Sequence, residues 1–192
     1  MSLNLNKGEK VALTKENPTL ALGEAGLGWD QTSGVTTADL DAFLVELNDT
    51  GKVANGDASL IYYGNKSNAN KSVYVGEDNL TGEGEGYDEH GYVKFAEAPT
   101  NVKEVIIAVS IYQWKEKNQN FGQVNNAKCD VLDSATQKVL ASYDLSEDMS
   151  NFTGIIVGKF RRETDGNWSF KAIGEGVHGG MQEIIGRFGL SA

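Results

Sequence analysis

The chain has 192 residues, of which 40% are hydrophobic, and its 23 glycines are spread between apolar segments with only 2 prolines. That is enough apolar material for one domain, residues 1–192, built around a sizeable core. A formal charge of −10 argues against nucleic acid and disfavours anionic membrane surfaces as partners, because both draw affinity from clustered Lys and Arg. Met1 to Leu20 carries Lys7, Glu9, Lys10, Lys15 and Glu16 and lacks the apolar centre of a secretory signal. No later stretch is apolar enough to insert in a bilayer, so the expectation is a soluble cytoplasmic protein.

Short apolar or alternating runs follow one another along the chain. They fall at Leu3 to Leu5, Val11 to Leu13, Leu40 to Leu47, Ala58 to Tyr63, Ser72 to Val75, Tyr92 to Phe95, Glu104 to Tyr112, Ala127 to Leu132, Lys138 to Tyr143, Thr153 to Arg161 and Trp168 to Ile173. Most are too short for stable helices. Lys7-Gly8, Thr50-Gly51, Asn55-Gly56-Asp57 and Thr164-Asp165-Gly166-Asn167 supply turn chemistry between them. The pattern predicts an all-β fold, a β-sandwich in which Val105 to Ile111 is a central strand buried on both faces. Two helical pieces are predicted. One lies within Gln113 to Asn120, and one near the C-terminus runs from Gly180 to Phe188 with Gly189 as its cap.

The richest functional signal is Asp78-Asn79-Leu80-Thr81-Gly82-Glu83-Gly84-Glu85-Gly86-Tyr87-Asp88-Glu89, in which carboxylates alternate with glycines and no Lys or Arg intervenes. A hard cation such as Ca²⁺ suits this composition, since it takes several oxygen ligands in flexible geometry and glycines let a short backbone aim them at one point. A solvated acidic loop is the bland alternative. Upstream, Gly26-Leu27-Gly28-Trp29-Asp30 reads as a glycine-rich turn ending in an acid, and Asp39-Leu40-Asp41 sets two carboxylates on one face at the start of a strand, with Leu40 pointing into the core. The metal-ligand candidates are therefore Asp30, Asp39, Asp41, Asp78, Asn79, Glu83, Glu85, Asp88 and Glu89. The acidic segment is not an EF-hand, because Leu80 stands at the third position, Glu83 replaces the required glycine and the flanks read as strands.

Other chemistry finds little support. Cys129, the single cysteine, alternates with Ala127 and Val131 on one strand face and reads as a buried, inert thiol. His90 and His178 each precede a glycine and read as loop residues, not general bases. Gly174-Glu175-Gly176-Val177-His178-Gly179 has dinucleotide-fingerprint spacing, but no second parallel strand or ribose-binding acid follows, so turn and packing glycines are expected there.

Gly26-Leu27-Gly28-Trp29-Asp30, Asp39-Leu40-Asp41-Ala42, Asp78 to Gly84, Phe121-Gly122-Gln123-Val124 and Trp168 to Gly176 together resemble the TerD family of tellurium-resistance and calcium-binding stress proteins, in order from Lys7 to Gly189. The resemblance implies a Ca²⁺-binding β-sandwich, not an enzyme, that acts in stress response with protein partners in larger assemblies. It implies a ligand role for Asp30, Asp39, Asp78, Asn79, Glu83 and Glu89. Tyr87 departs from the family pattern, standing where a further acid is usual. Direct tellurite binding is not expected, since this acidic surface repels an oxyanion. Two other readings are a metal-dependent hydrolase, which lacks an obvious general base, and a lectin-like Ca²⁺-dependent sugar-binding module with Trp29 or Tyr87 as a stacking platform.

Overall fold

The structure is a computed structural model that describes residues 2–31, 38–77, 86–145 and 149–191. Twelve strands form two six-stranded sheets. The strands are β1 (Leu3–Leu5), β2 (Lys10–Ala12), β3 (Leu22–Gln31), β4 (Leu40–Leu47), β5 (Leu60–Ile61), β6 (Val73–Val75), β7 (Glu89–Lys94), β8 (Glu104–Ile111), β9 (Val124–Asp133), β10 (Lys138–Asp144), β11 (Gly154–Arg162) and β12 (Trp168–Val177). The first sheet has the order β1-β10-β9-β3-β7-β6 and the second β2-β12-β11-β8-β4-β5. All neighbours pair antiparallel except β1 with β10. Among the described residues the α-helices are a single turn, α1 (Trp114–Lys117), and α2 (Gly180–Gly186) near the C-terminus, with a 3-10 turn at Phe121–Gln123. The fold is thus the sandwich predicted from the strand pattern.

Two apolar layers explain why β4 and β8 are buried on both faces. Leu40, Ala42 and Leu44 of β4 and Val105, Ile107 and Val109 of β8 face the other sheet, against Ala25, Leu27, Val93 and Val131. The alternate residues Phe43, Val45, Ile106 and Ala108 form a second cluster with Ile184 and Ile185 of α2. Period-2 alternation therefore carries apolar residues on both sides, and the outer side is dry only because α2 covers it. Gly189, at φ +77°, ends that helix. Its N–H donates to the Gly186 carbonyl and the Leu190 N–H to the Ile185 carbonyl, the paired bonds of a Schellman cap, as the sequence predicted.

One strand departs from the sequence reading. Leu22–Gln31, where a glycine-rich turn was expected before Asp30, is a ten-residue central strand of the first sheet. Its glycines make space instead of bends, since a Cβ on Gly23 would lie 2.3 Å from the Phe95 ring and one on Gly26 2.6 Å from the Tyr87 ring. Gly174 to Val177 likewise belong to β12, where Ile173 and Gly174 oppose the single residue Val157 as a bulge.

Candidate functional site

At one end of the sandwich β3 finishes while β7, β9 and β4 begin. The last register pair between β3 and β7 is Leu27 with Glu89, and the Asp88 N–H donates to the Leu27 carbonyl at 2.8 Å. Asp88 is buried, and its Oδ2 accepts the Trp29 backbone N–H at 3.0 Å. Burial pushes the Asp88 carboxyl above the usual carboxylate range, and the neighbouring charge of Asp30 pushes the same way, against the Trp29 hydrogen bond and the charge of His90. Asp30 is exposed and accepts a hydrogen bond from Asn126 Nδ2 at 2.7 Å on its Oδ2.

A bulge brings Asn126 to that position. Gly28 pairs with Lys128 and Asp30 with Asn125, so Asn126 and Ala127 together oppose Trp29, with Asn126 at φ 51°. Asparagine tolerates the left-handed region better than most residues, and two adjacent asparagines inside an otherwise strand-like run were the sequence signal for this distortion. Gly28 keeps the β3 side open, because a Cβ there would lie 3.3 Å from the Gly86 carbonyl oxygen.

The remaining predicted ligands divide. Glu89 is the first residue of β7 and not part of a loop. It is buried and, with Gly91 and Val93, faces the space between the sheets. Asp39 is half-buried just before β4, and its carbonyl accepts the Tyr112 N–H at 2.7 Å. Leu40 points inward as expected. Asp41 does not join Glu89, because alternation along β4 turns it to the outer face with Phe43 and Val45. Asp78, Asn79, Glu83 and Glu85 lie outside the described residues. Among the described residues no group of three or more His, Cys, Asp or Glu is placed to hold a metal ion.

Sequence reasoning missed a polar network on the outer face of the first sheet. Glu24, buried on β3, meets His90 Nδ1 at 2.8 Å, so His90 is a strand residue with a carboxylate partner and not the loop residue expected. Gln137 Nε2 also donates to Glu24 at 3.3 Å. Tyr87 packs its ring over Gly26 and donates its hydroxyl to Asp130 at 2.8 Å, which, with burial as the larger cause, holds the phenol well above its ordinary pKa. Trp29 is buried in the core, so it offers no exposed face for sugar stacking. Cys129 is fully buried and its thiol pKa is raised by burial, as expected of an inert core cysteine. His178 is exposed and packs on Phe152.

The described residues thus form a two-sheet β-sandwich with Asp30, Asp39, Asp88 and Glu89 at or next to strand ends, and none of their helices is long and apolar enough to cross a membrane. The chain belongs to the TerD family, whose TerD domain matches residues 1–188. It is 40% identical over 192 residues to general stress protein 16U of Bacillus subtilis, covering 99% of this chain and 98% of that one. It is 37% identical over 193 residues to the tellurium resistance protein TerD of Serratia marcescens, covering all of both chains. A solved structure of a homologue of the telluride resistance protein TerD from Streptomyces coelicolor superposes with a TM-score of 0.69 at 19% identity, covering 84% of this chain and 93% of that one, which shows the shared fold.

Proposed function

We propose that this chain is a Ca²⁺-binding protein of bacterial stress response and tellurite resistance, working as a Ca²⁺-dependent binding or scaffold module and not as an enzyme. The observation that carries the metal reading is the placement of Asp88, buried at the start of β7 and bonded to the Trp29 N–H, next to Asp30 at the end of β3; burial raises its pKa and the Asp30 charge adds to that rise. A divalent cation between such groups offsets their repulsion, and an all-oxygen donor set of carboxylates and glycine-freed carbonyls suits Ca²⁺ better than Zn²⁺ or copper. Asp30, Asp39, Asp88 and Glu89 would contribute from the strand ends, and Asp78, Asn79, Glu83 and Glu85 from the acidic segment between Glu77 and Gly86.

The stress and resistance role is supported by full-length similarity to proteins named for those activities. A cytoplasmic setting agrees with a lone cysteine that is buried and outside any disulfide. Tellurite itself is not the ligand in this reading, because a chain of charge −10 repels an oxyanion. The test is calorimetric titration of decalcified protein with Ca²⁺, with Mg²⁺ as the control ion, in the wild type and in Asp78→Ala and Asp88→Asn. Saturable, Ca²⁺-selective binding weakened by both substitutions supports the proposal; absence of binding overturns it.

A further inference from the structure

Beyond β6 the first sheet continues as a short pairing with residues 66–68. Ser67 and Tyr74 form an antiparallel bridge, the Val75 N–H donates to the Lys66 carbonyl at 3.0 Å, and the Asn68 N–H donates to the Val73 carbonyl at 2.9 Å. A cleft of about 380 Å³ opens beside this hairpin, lined by Lys66, Ser67, Lys71, Tyr74, Val75 and Lys94. The lining thus holds three lysines and no carboxylate, in a chain whose formal charge is −10. Like charges brought to one cleft repel, and an anion seated among them offsets that repulsion.

The backbone that presents these lysines is held by side chains. Buried Asn68 accepts the Ser72 and Val73 N–H groups on Oδ1 at 2.9 and 3.2 Å and donates from Nδ2 to buried Glu46 at 2.8 Å. Asn70 Oδ1 accepts the Ser72 hydroxyl at 2.7 Å, and the Lys94 N–H donates to the Ser72 carbonyl at 2.8 Å. Lys71 stands in this turn at φ 56°, a region that favours glycine or asparagine over lysine. Among the described residues no carboxylate lies within ion-pair distance of Lys71. Lys66 and Lys94 have only loose partners, Glu77 at 3.7 Å and Glu97 at 3.6 Å, whose side chains are exposed and can give way to an incoming anion. Tyr74 is fixed by stacking on Tyr92, with ring centroids 4.7 Å apart.

We propose that this cleft binds a small organic phosphate monoester, its anionic head shared by Lys66, Lys71 and Lys94 and its organic group resting on Tyr74 and Val75. A phosphate monoester suits three monocations better than a carboxylate does, because it carries about −1.5 to −2 charge at neutral pH and three strong acceptor oxygens. Ser67 and Tyr74 each add a hydroxyl to the lining, and the volume is that of a small-molecule pocket, not of a bare ion site. The net charge of the chain opposes the approach of any anion. Screening over about 8 Å at physiological ionic strength nevertheless lets the lysines at contact distance dominate once it is seated. The site uses none of the proposed calcium ligands and does not depend on that reading.

The test titrates the full-length, isotopically labelled chain with phenyl phosphate, inorganic phosphate and benzyl alcohol at constant free Ca²⁺ and ionic strength, while recording backbone amide shifts. Phenyl phosphate should move the Ser67, Lys71 and Tyr74 amides saturably. Inorganic phosphate should bind there more weakly, and benzyl alcohol should leave them unmoved. Lys71→Asn removes the charge yet suits the left-handed backbone, and should weaken phenyl phosphate binding by about threefold or more, whereas Lys71→Arg, which keeps the charge, should not. Combining Lys66→Gln, Lys71→Asn and Lys94→Gln should weaken it by at least about tenfold with the spectrum elsewhere unchanged. Inorganic phosphate binding as tightly as phenyl phosphate would refute the part given to the organic group. Undiminished binding by the triple variant, shifts confined to another surface, or no saturable shift would overturn the site itself.

Discussion

The Asp88 carboxylate accepts the backbone N–H of Trp29, joining the start of β7 to the end of β3 beside the Asp30 carboxylate. On the proposed calcium reading a ligand role and a structural tie would reside in one side chain, and substitution can separate them. Asp88→Asn keeps an acceptor for the Trp29 N–H but removes the charge. It should lower Ca²⁺ affinity by about tenfold or more while changing metal-free stability by under about 1 kcal/mol. Asp88→Ala should lower both. Calorimetry and urea unfolding of the decalcified proteins distinguish the two effects; equal Ca²⁺ affinity in Asp88→Asn and wild type would remove Asp88 from the site.

Tyr143 reaches from β10 across the sandwich to Gly174 in the β12 bulge. A Cβ built on Gly174 would lie 1.8 Å from the Tyr143 hydroxyl, and the glycine itself sits at φ +60°. Gly174→Ala therefore meets two penalties, about 1–2 kcal/mol for the left-handed backbone and about 1–3 kcal/mol for overpacking. Adding Tyr143→Phe removes the clashing oxygen and should recover part of the second penalty but none of the first. Denaturant unfolding of the single and double variants tests this, and strictly additive losses would show that the two residues do not press on one another.

The contrast between β3 and β8 shows what local pattern can and cannot convey. Val105 to Ile111 is legible as a doubly buried strand because every residue is apolar or small. Leu22–Gln31 is not, because Gly23, Gly26 and Gly28 carry turn chemistry locally, and the Phe95 and Tyr87 rings that fill their space arrive from distant sequence. The same limit applied at the site. The run of acids and glycines singles out Asp88, on which the charge of Asp30 acts, yet nothing local shows that Asp41 faces α2, because β4 is buried along its whole length and has no polar side to mark its orientation. The pairing of Glu24 with His90 spans 66 residues and depends on the register of β3 against β7.

That pair carries its own prediction. The Glu24 side chain is 2% exposed and that of His90 25%, so removing the imidazole leaves a buried carboxylate to the longer hydrogen bond from Gln137. His90→Ala should destabilise the fold by about 1–3 kcal/mol, whereas His90→Gln, which can still donate a hydrogen bond, should lose less than half as much. Urea unfolding at pH 7 measures both. Equal losses would show that ring packing against Tyr87 and Tyr92, at 6.0 and 5.8 Å between centroids, matters more than the hydrogen bond.

Glu46 is fully buried at the inner face of β4, where Asn68 Nδ2 donates to Oε1 at 2.8 Å and Asn55 Nδ2 to Oε2 at 3.3 Å. Burial raises its pKa, and the two amide donors offset only part of that rise. The folded carboxyl therefore keeps a proton at pH values where the unfolded chain, titrating near 4.5, has already lost it. By linkage, the Glu46 contribution to stability is greatest at low pH and declines as pH rises from the unfolded pKa through the folded one, then levels off. Glu46→Gln retains an acceptor for the asparagines but cannot ionise, so the stability of wild type minus that of Glu46→Gln should fall as pH rises above the unfolded value of about 4.5. Glu46→Ala should cost about 2–3 kcal/mol by leaving buried amide donors unsatisfied. Urea unfolding across that range gives the difference curve directly. A difference that rises with pH would mean the folded site favours the carboxylate, and that the Asn55 and Asn68 donors outweigh the burial of the charge.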